Sequence, residues 1–324
     1  MSDEPGARSA GSRTTYLLYR SGAVIAQTLP DGVGRAIGRG AGVIKAFFVP
    51  RERARVLRNQ ERVRGPLGPV TAWRAVFATY QSYGRYWHEL FRLPRDARRS
   101  LEPRFEAGGF EHIEAGIGAG TGVILALPHV GGWEFAGAWL AARGYPPTVV
   151  VERVEPPELF DWFVAVRRIL GMEVVALGPE AGATVARALR DNRVVCLLAD
   201  RDITGDGVAV EFFGETTTLP AGPATLALRT GAALVPVAVY FRRRGGHYAK
   251  IGPPVAVERT GRLRDDVVRI TQTLAHRFEG LIREAPEQWH LMQPNWPSDR
   301  EPSSPTSADD GDAGFARAAA GDGA

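Results

Sequence analysis

The stretch Val123-Ile-Leu-Ala-Leu-Pro-His-Val-Gly-Gly-Trp-Glu134 decides the class of fold. Its first five residues are all apolar, which is typical of a β-strand that is buried on both faces of a sheet. The glycines that follow indicate a loop, and an apolar segment of helical length comes after them. One strand, one loop and one helix therefore form the first unit of a predicted α/β core.

Similar units repeat outward from this stretch. Four more apolar runs are predicted strands, at 148–151, 173–177, 194–198 and 234–240. The predicted helices lie at 132–143, 157–170, 180–190, 220–230 and roughly 262–284. Apolar strands that alternate with helices favour a mostly parallel central sheet flanked by helices on both faces.

The chain before the sheet has a helical and basic pattern. The helical period of apolar residues is clearest at 70–91, and residues 35–104 carry sixteen Arg and Lys side chains against five acids. Clustered positive charge favours a phosphate-bearing partner, either an anionic lipid surface or a nucleic acid. Solvated helix faces would explain the charge alone equally well.

Apolar residues decide between the two anionic partners. They recur at roughly helical spacing among the cations of 33–48, which indicates a basic amphipathic helix. We therefore expect an anionic phospholipid membrane as a partner and no nucleic acid. The residues expected to contact the membrane are Arg35, Ile37, Arg39, Ile44, Lys45, Phe47 and Phe48. Several glycines weaken this helix in isolation, so it is expected to form fully when docked on the core or on a bilayer.

These patterns predict a single domain at 14–297. It would consist of a basic, helical, membrane-facing part at 14–104 and an α/β catalytic core at 105–297. The two ends are rich in small and polar residues, so they cannot bury enough apolar surface to fold. Residues 1–13 and 298–324 are therefore predicted to be disordered tails.

The sequence favours a location inside the cell. No stretch holds the roughly eighteen apolar residues that a transmembrane helix needs. The best candidate, 16–30, is interrupted by Arg20 and Gln27, although it can lie on a membrane surface. The N-terminus lacks the basic-then-apolar order of a signal peptide. A single cysteine, Cys196, lies in a predicted buried strand, which suits a reducing compartment.

His129 has the position of a catalytic base. It follows a strand and precedes two glycines, Gly131 and Gly132, that allow a substrate close to the backbone. Glu134 comes five residues later, and five helical steps turn a side chain by about 140°, so the two cannot share one helix face. His129 is therefore expected on the loop and Glu134 in the first turn of the helix, where the helix dipole alone would favour an acid.

A second loop follows the predicted strand at 194–198 and contains Asp200, Arg201 and Asp202. The carboxyl ends of parallel strands meet at one edge of a sheet, so either aspartate could reach and orient His129. An Asp-rich turn that satisfies its own backbone is the alternative. Arg201 could bind a phosphate group. Whether an acid of this loop or Glu134 orients His129 stays open at this point.

These residues suit acyl transfer from a thioester, which needs a base, an acid that holds the base, and donors for the oxyanion. The backbone N–H groups of Gly131 and Gly132 are candidate oxyanion donors, and Trp133 is expected to line the substrate site. The six histidines are dispersed and no Gly-x-Ser-x-Gly elbow is present, so neither a metal site nor a serine nucleophile is expected. The glycine-rich stretch 116–122 precedes its strand and is predicted to be a turn rather than a dinucleotide loop.

Taken as a set, the motifs are recognisable. Pro128-His-Val-Gly-Gly-Trp-Glu134 resembles the His-x4-Asp/Glu signature of glycerolipid and lipid A acyltransferases. The resemblance narrows to the phosphatidylinositol mannoside acyltransferases of actinobacteria and spans roughly residues 15–297. The further segments that carry it are Tyr83-Gly-Arg-Tyr-Trp-His-Glu-Leu-Phe-Arg-Leu-Pro94, Val151-Glu-Arg-Val154, Phe163-Val-Ala-Val-Arg167, Leu170-Gly-Met-Glu-Val174, Ala199-Asp-Arg-Asp202 and Phe212-Phe-Gly-Glu215.

The resemblance implies a peripheral enzyme at the cytoplasmic face of the inner membrane. It would transfer a fatty acyl group, usually palmitoyl, from acyl-CoA to a mannose hydroxyl of a phosphatidylinositol mannoside, with no bound cofactor. His129 would be the base and Glu134 the acid of the His-x4-acid motif, while the later loop acid, matched best by Asp200, would hold the histidine. Glu152 and Arg167 would face the sugar and phosphate headgroup, and an apolar groove would hold the acyl chain.

Two alternatives remain. The first is a lipid A-type enzyme that uses an acyl carrier protein thioester, or a lysophospholipid acyltransferase. The second is a non-catalytic peripheral lipid-binding protein with a basic membrane-docking helix. The histidine, the acids and the glycines that converge on strand ends argue against the second, because lipid binding alone does not need them.

Overall fold

The structure is a computed structural model that describes residues 10–243 and 245–299. In these ranges it has nine β-strands: β1 (Phe105–Gly108), β2 (Val123–Leu127), β3 (Thr148–Val151), β4 (Glu173–Ala176), β5 (Val194–Leu198), β6 (Val208–Phe212), β7 (Glu215–Leu219), β8 (Ala233–Phe241) and β9 (His247–Ile251). Its α-helices are α1 (Ala10–Thr28), α2 (Asp31–Phe48), α3 (Pro50–Arg64), α4 (Pro69–Asp96), α5 (Glu111–Gly118), α6 (Trp133–Ala142), α7 (Pro157–Ile169), α8 (Ala181–Arg190), α9 (Gly222–Thr230) and α10 (Leu263–Glu284).

Seven strands form one sheet in the order β1-β9-β8-β2-β5-β3-β4. Every neighbouring pair is parallel except β8 and β9, which pair antiparallel. β6 and β7 form a separate antiparallel hairpin. The structure confirms the predicted fold class, a mostly parallel sheet with helices on both faces and a helical N-terminal region.

The five predicted strands are all present, with ends that agree to within one residue. β1, β9 and the β6–β7 hairpin were not predicted, because these short strands contain polar or charged residues and are not the continuous apolar runs that marked the other strands. The predicted turn at 116–122 is partly wrong, since α5 continues to Gly118. α5 is stabilised there because Ile113 is buried and Gly116 packs closely against Val123.

The sheet separates two apolar cores. Side chains of a strand alternate between the faces, so Ile124 and Ala126 of β2 pack with α8, α9 and α10. Leu125 and Leu127 of the same strand pack on the opposite face with α5 and α6. The all-apolar strands of the sequence are therefore buried on both sides, which is why they carry no polar face.

The predicted amphipathic helix is α2, and it docks on α4 through its glycines. A Cβ added at Gly42 would lie 2.0 Å from Tyr80 O, and one added at Gly84 of α4 would lie 2.0 Å from Gly38 O. Only glycine allows two helix backbones to approach this closely. Three of the glycines that weaken α2 in isolation, Gly34, Gly38 and Gly42, thus form its packing face, and its large apolar residues are left on the outside.

The exposed face of α1, α2 and the start of α4 is unusually apolar. Its large exposed side chains are Leu17, Leu18, Val24, Ile25, Val33, Ile37, Ile44, Phe47, Phe48, Val70 and Trp73. So many large apolar side chains exposed on neighbouring helices are typical of an interaction site. Within the described ranges, however, we find no helix with the length and apolar character that crossing a bilayer requires.

One predicted membrane-contacting cation points inward instead. Lys45 is half-buried against α3 and α4, where its ammonium group lies 2.5 Å from Glu52 Oε1 and 5.6 Å from the ring centre of Tyr80. Its prediction as a lipid-contacting residue is wrong in this structure, because it shares the packing face of α2. Arg39 is exposed, and Arg35 pairs with Asp31 at 3.4 Å.

The predicted tails are too long at their inner ends. α1 begins at Ala10, inside the segment predicted to be disordered. At the other end Asp299 is buried and accepts hydrogen bonds from Arg58 and Arg62, because the preceding residues pack on α3. The rest of both predicted tails, 1–9 and 300–324, lies outside the described residues.

Candidate active site

His129 lies on the loop between β2 and α6, at the carboxyl end of β2. Backbone hydrogen bonds join this loop to residues 285–299, a segment that we call the strap. Gly131 N–H donates to Gln288 O at 2.9 Å, and His290 N–H donates to His129 O at 2.8 Å. The strap therefore holds the loop on which the imidazole stands.

Asp200 is the carboxylate that contacts the His129 ring. Its Oδ1 lies 2.5 Å from His129 Nδ1, and its Oδ2 accepts the backbone N–H of His129 at 3.0 Å. The indole N–H of Trp289 donates to the same Oδ2 at 2.8 Å. A carboxylate can only accept, so the proton of a neutral His129 ring resides on Nδ1. Nε2 is then left with its lone pair to accept a proton from a substrate.

The Asp200 carboxylate is fully buried. Burial by itself favours the neutral acid, but the charge of His129 and the hydrogen bonds from His129 and Trp289 outweigh it. Together they hold the pKa of Asp200 below its ordinary value. The group is thus an anion at neutral pH, and it can stabilise the imidazolium that forms when His129 takes a proton.

Glu134 is engaged elsewhere. It lies in the first turn of α6, as predicted from the five-residue spacing, and its Oε1 accepts hydrogen bonds from Tyr86 (2.8 Å) and Arg167 (2.9 Å). Of the carboxylates that the sequence left open, Asp200 is the one in contact with the His129 ring. Glu134 holds the guanidinium of Arg167 instead.

Aromatic and uncharged groups surround the imidazole. Trp133 meets the His129 ring edge-on at 5.4 Å and stacks on Tyr86 at 4.5 Å. His290 is buried, and its Nε2 lies 2.9 Å from Ser82 Oγ. Burial, with a smaller effect of the His129 charge, lowers the pKa of His290 to about 3. His290 is therefore neutral at physiological pH.

The glycines after His129 do not have the predicted role. Gly131 N–H donates to Gln288 O, and Gly132 N–H donates to Val239 O at 3.1 Å. Both groups are already used in backbone pairing, so their prediction as oxyanion donors is wrong in this geometry. Gly131 instead supplies a left-handed turn (φ +61°) next to β8, where a Cβ would lie 2.0 Å from Val239 O.

The start of α6 offers other donors. The first N–H groups of an α-helix have no acceptor within the helix, and no side chain caps α6 at Gly132. Trp133 and Glu134 are the first two residues of this helix, immediately after the histidine loop. Their N–H groups carry the positive end of the helix dipole, which favours a developing negative charge.

A cavity of about 450 Å³ opens next to His129. It runs along α6, where Gly137 and Leu140 line it, and Met172 faces Gly137 from the start of β4. The cavity also enters the sheet, because β3 and β5 pair only at Thr148–Val195 and Val149–Cys196 and then separate. The strand residues that line this gap are Val150, Val151, Leu197 and Leu198.

Besides His129, four charged side chains of the described residues line the cavity, and we call them its charged mouth because one of them, Glu152, is about half exposed. Arg201 Nη2 pairs with Glu152 Oε2 at 3.1 Å, and both line the cavity together with the Glu134–Arg167 pair. Of the six residues predicted for catalysis or substrate charge, five line this cavity: His129, Glu134, Glu152, Arg167 and Arg201. The sixth, Asp200, contacts the His129 ring.

Sequence reasoning missed several supporting residues. Asp202 lies in a turn, where its carboxylate accepts hydrogen bonds from the backbone N–H groups of Gly205 and Gly207. Nothing in the sequence pattern distinguished it from Asp200. Tyr86 lies in the Tyr83–Pro94 segment that carried the resemblance, but no role was assigned to it, and Trp289 comes from a segment far from the motif to which no sequence signal links it. Within residues 10–243 and 245–299, no three His, Cys, Asp or Glu side chains cluster as a metal site requires.

Comparisons with known proteins identify the family of the chain. Residues 7–298 match the family model described as bacterial lipid A biosynthesis acyltransferase. The phosphatidylinositol mannoside acyltransferase of Mycobacterium tuberculosis is 40% identical over 299 residues, which are 90% of this chain and 92% of the relative. The enzyme of the same name from Mycolicibacterium smegmatis is 38% identical over 293 residues, 89% of this chain and 93% of the relative. A lipid A biosynthesis acyltransferase of Haemophilus influenzae is 28% identical over 199 residues, 60% of this chain and 59% of the relative. These matches confirm the resemblance that the motifs indicated.

Proposed function

Because the chain belongs to the bacterial lipid A biosynthesis acyltransferase family, we propose that it transfers a fatty acyl group, palmitoyl in particular, from acyl-CoA to a mannose hydroxyl of a phosphatidylinositol mannoside. The acceptor follows the mycobacterial relatives named for that lipid. The observation that carries the chemistry is the His129–Asp200 contact at the mouth of an apolar cavity. A base held by a buried anion beside a chain-sized apolar space suits acyl transfer.

His129 Nε2 accepts the proton of the mannose hydroxyl as its oxygen attacks the thioester carbonyl. The carbonyl oxygen becomes an oxyanion, which the N–H groups of Trp133 and Glu134 at the start of α6 stabilise. Collapse of this intermediate breaks the carbon–sulphur bond, and the leaving thiolate takes the proton from His129. Asp200 keeps Nδ1 of His129 protonated throughout. The acceptor hydroxyl is itself the nucleophile, so no protein nucleophile is needed.

The apolar cavity is the site proposed for the acyl chain. Its lining is mostly aliphatic and aromatic, and it starts at His129, where the thioester carbonyl must lie. Removing an alkyl chain from water contributes about 0.8 kcal/mol per buried CH₂. Burial of the acyl chain therefore supplies binding energy for the donor, and the loop that contains His129 supplies the catalytic groups.

The charged mouth suits the acceptor headgroup. Arg201 and Arg167 each hold an acid that a ligand could replace or share, and a guanidinium recognises phosphate oxygens well. Glu152 is about half exposed at 46% and can accept hydrogen bonds from sugar hydroxyls. This arrangement would place a mannose hydroxyl near His129 while the phosphate lies against an arginine.

The same proposal includes peripheral binding to the cytoplasmic face of an anionic membrane. The exposed apolar face of α1 and α2 would enter the interface, with Arg39 and Arg35 near the lipid phosphates. Reversing the charge of both arginines should weaken liposome binding, most strongly at low salt. Unchanged binding to anionic liposomes would contradict this part of the proposal.

The decisive experiment offers the protein radiolabelled palmitoyl-CoA with a panel of lipid acceptors. The panel holds mannosylated phosphatidylinositol, lysophosphatidate and a lipid A precursor, and a parallel arm replaces acyl-CoA by an acylated carrier protein. Transfer from acyl-CoA to the mannosylated lipid supports the proposal. Preference for the carrier protein or for another acceptor would identify the alternative acyltransferases, and binding without transfer would identify a lipid-binding protein.

A further inference from the structure

The strap supplies a hydrogen bond to the Asp200 carboxylate in addition to those from His129. Asp200 Oδ1 faces the His129 ring, whereas Oδ2 accepts the indole N–H of Trp289 at 2.8 Å and the backbone N–H of His129. Among the described residues, Trp289 is thus the donor to this carboxylate that does not belong to His129 itself. We propose that Trp289 is a positioning residue for acyl transfer, which fixes the orientation of Asp200 and so supports His129 as the base. This inference rests on the proposed function.

The Trp289 indole is itself held rigidly. It is buried, and its ring lies 5.6 Å from that of Phe213 and 6.0 Å from that of Phe212. Trp296 of the same strap lies edge-on at 6.2 Å. A donor that cannot rotate holds Oδ2 in one place, and the planar carboxylate then has its Oδ1 directed at His129 Nδ1.

The strap also holds the backbone of Asp200, and α3 holds the strap. Asn295 Nδ2 donates to Asp200 O at 3.1 Å. Asn59 and Gln60 of α3 donate to carbonyl groups of the strap at 2.9 Å and 2.8 Å. The Asp200 main chain is therefore fixed without Trp289, and what Trp289 adds is the orientation and hydrogen bonding of the side chain.

This distinction predicts a change in pH dependence. His129 Nδ1 and Asp200 Oδ1 lie 2.5 Å apart, so a proton bound by this pair is shared between strongly interacting groups. When the Trp289 hydrogen bond is removed, the buried Asp200 anion is less stabilised and binds a proton more tightly. The protonation that inactivates the His129–Asp200 pair therefore occurs at higher pH. The other ionisable groups around the pair stay in place when Trp289 changes. They are His290 on the strap and the cavity-lining Glu134, Glu152, Arg167 and Arg201.

The test measures kcat, KM and the pH profile of acyl transfer for Trp289→Phe. We expect kcat to fall by roughly ten- to a hundredfold with little change in the acceptor KM, and the acid limb to move up by about one pH unit. Trp296→Phe is the matched control, because its buried indole N–H donates to Phe212 O at 3.2 Å and not to Asp200. Its acid limb should be that of the wild type.

A second replacement removes the risk that Trp289→Phe disturbs packing. Benzothienylalanine at position 289 keeps the shape of the indole and replaces its N–H by sulphur, so a purely structural role predicts wild-type behaviour. The proposal predicts the same shift of the acid limb as in Trp289→Phe. In an Asp200→Asn background, adding Trp289→Phe should cost much less than it does alone, because the anion it supports is gone.

A wild-type acid limb in the benzothienylalanine protein would overturn the assignment, as would an equal shift in Trp296→Phe. Failure of the proposed function looks different, since the wild-type protein would then not transfer the acyl group from acyl-CoA to the mannosylated lipid. If His129→Ala is inactive while the Trp289 variants have wild-type profiles, only the role of Trp289 is refuted.

Discussion

Replacing Asp200 by Asn tests which carboxylate supports His129, because the change keeps the size of the side chain and removes its charge. Asp200 Oδ1 lies 2.5 Å from His129 Nδ1 and is shielded from water. A hydrogen bond to a charged group contributes about 1.5–3 kcal/mol, which corresponds to roughly 10- to 150-fold in rate when the charge forms in the transition state.

The tautomer of His129 enlarges the expected effect. An Asn side chain can turn its NH₂ group toward Nδ1, which would then be the acceptor, and the ring proton would move to Nε2. Nε2 could then no longer accept the proton of the substrate hydroxyl. We therefore expect kcat of Asp200→Asn to fall by roughly 10²- to 10⁴-fold.

Glu134→Gln is the matched control for this experiment. Glu134 holds Arg167 and Tyr86 and not the His129 ring, so its kcat should fall less than about tenfold. The acceptor KM should rise instead, because Arg167 loses a charged partner. Initial rates with labelled acyl-CoA, together with melting temperatures, measure both variants. The reasoning is refuted if Asp200→Asn keeps a wild-type kcat, or if Glu134→Gln lowers kcat more than Asp200→Asn does.

Three other substitutions test the cavity, the helix packing and a buried ion pair. Gly137→Leu should shift the donor preference to shorter acyl chains without changing acceptor KM, because its side chain would enter the cavity; an unchanged chain-length profile argues against this cavity as the acyl site. Gly42→Ala should lower the melting temperature by forcing α2 from α4, whereas Gly40→Ala, which meets nothing within 4 Å, should not; equal melting curves contradict the packing argument. Glu89→Gln should cost about 3–5 kcal/mol of unfolding free energy at pH 7, because the buried Arg85 guanidinium, 2.7 Å from Glu89 Oε1, would lose its anionic partner. Burial raises the pKa of Glu89, but His247 and then Arg85 lower it overall to about 2, so this loss should shrink as pH falls from about 4.3 toward 2 in pH-dependent denaturation.

The sheet was predictable because its strands are apolar throughout. β2, β5 and β8 are buried on both faces, and no other structure suits such short continuous apolar runs between helices. β6 and β7 were not predictable in this way, since the Thr and Glu residues of 208–219 carry no strong period. These two segments are strands because they pair with each other.

The candidate site was predictable where it follows strand ends. His129 and Asp200 meet because β2 and β5 are parallel neighbours in register, with Leu127 opposite Leu198. Asp200 and Asp202 are two residues apart in one loop. Which of them faces His129 depends on the conformation of that loop, which spacing alone does not determine. The oxyanion assignment failed because the sequence does not reveal that the strap pairs with the loop and uses the N–H of Gly131.

The inward direction of Lys45 had a similar cause. Basic and apolar residues alternate around α2, and helical spacing cannot distinguish a face packed on protein from one that faces lipid. Packing distances decide it, because only the glycine face fits against α4. Side chains on that face, such as Lys45, are removed from any membrane surface.

The most direct test of the account is single-turnover acyl transfer by the wild type and by His129→Ala, at saturating palmitoyl-CoA and mannosylated acceptor. If His129 is the general base, the variant should bind both substrates with near-normal affinity. Its transfer rate should be lower by at least about a hundredfold across the neutral pH range. A transfer rate close to that of the wild type would contradict the account.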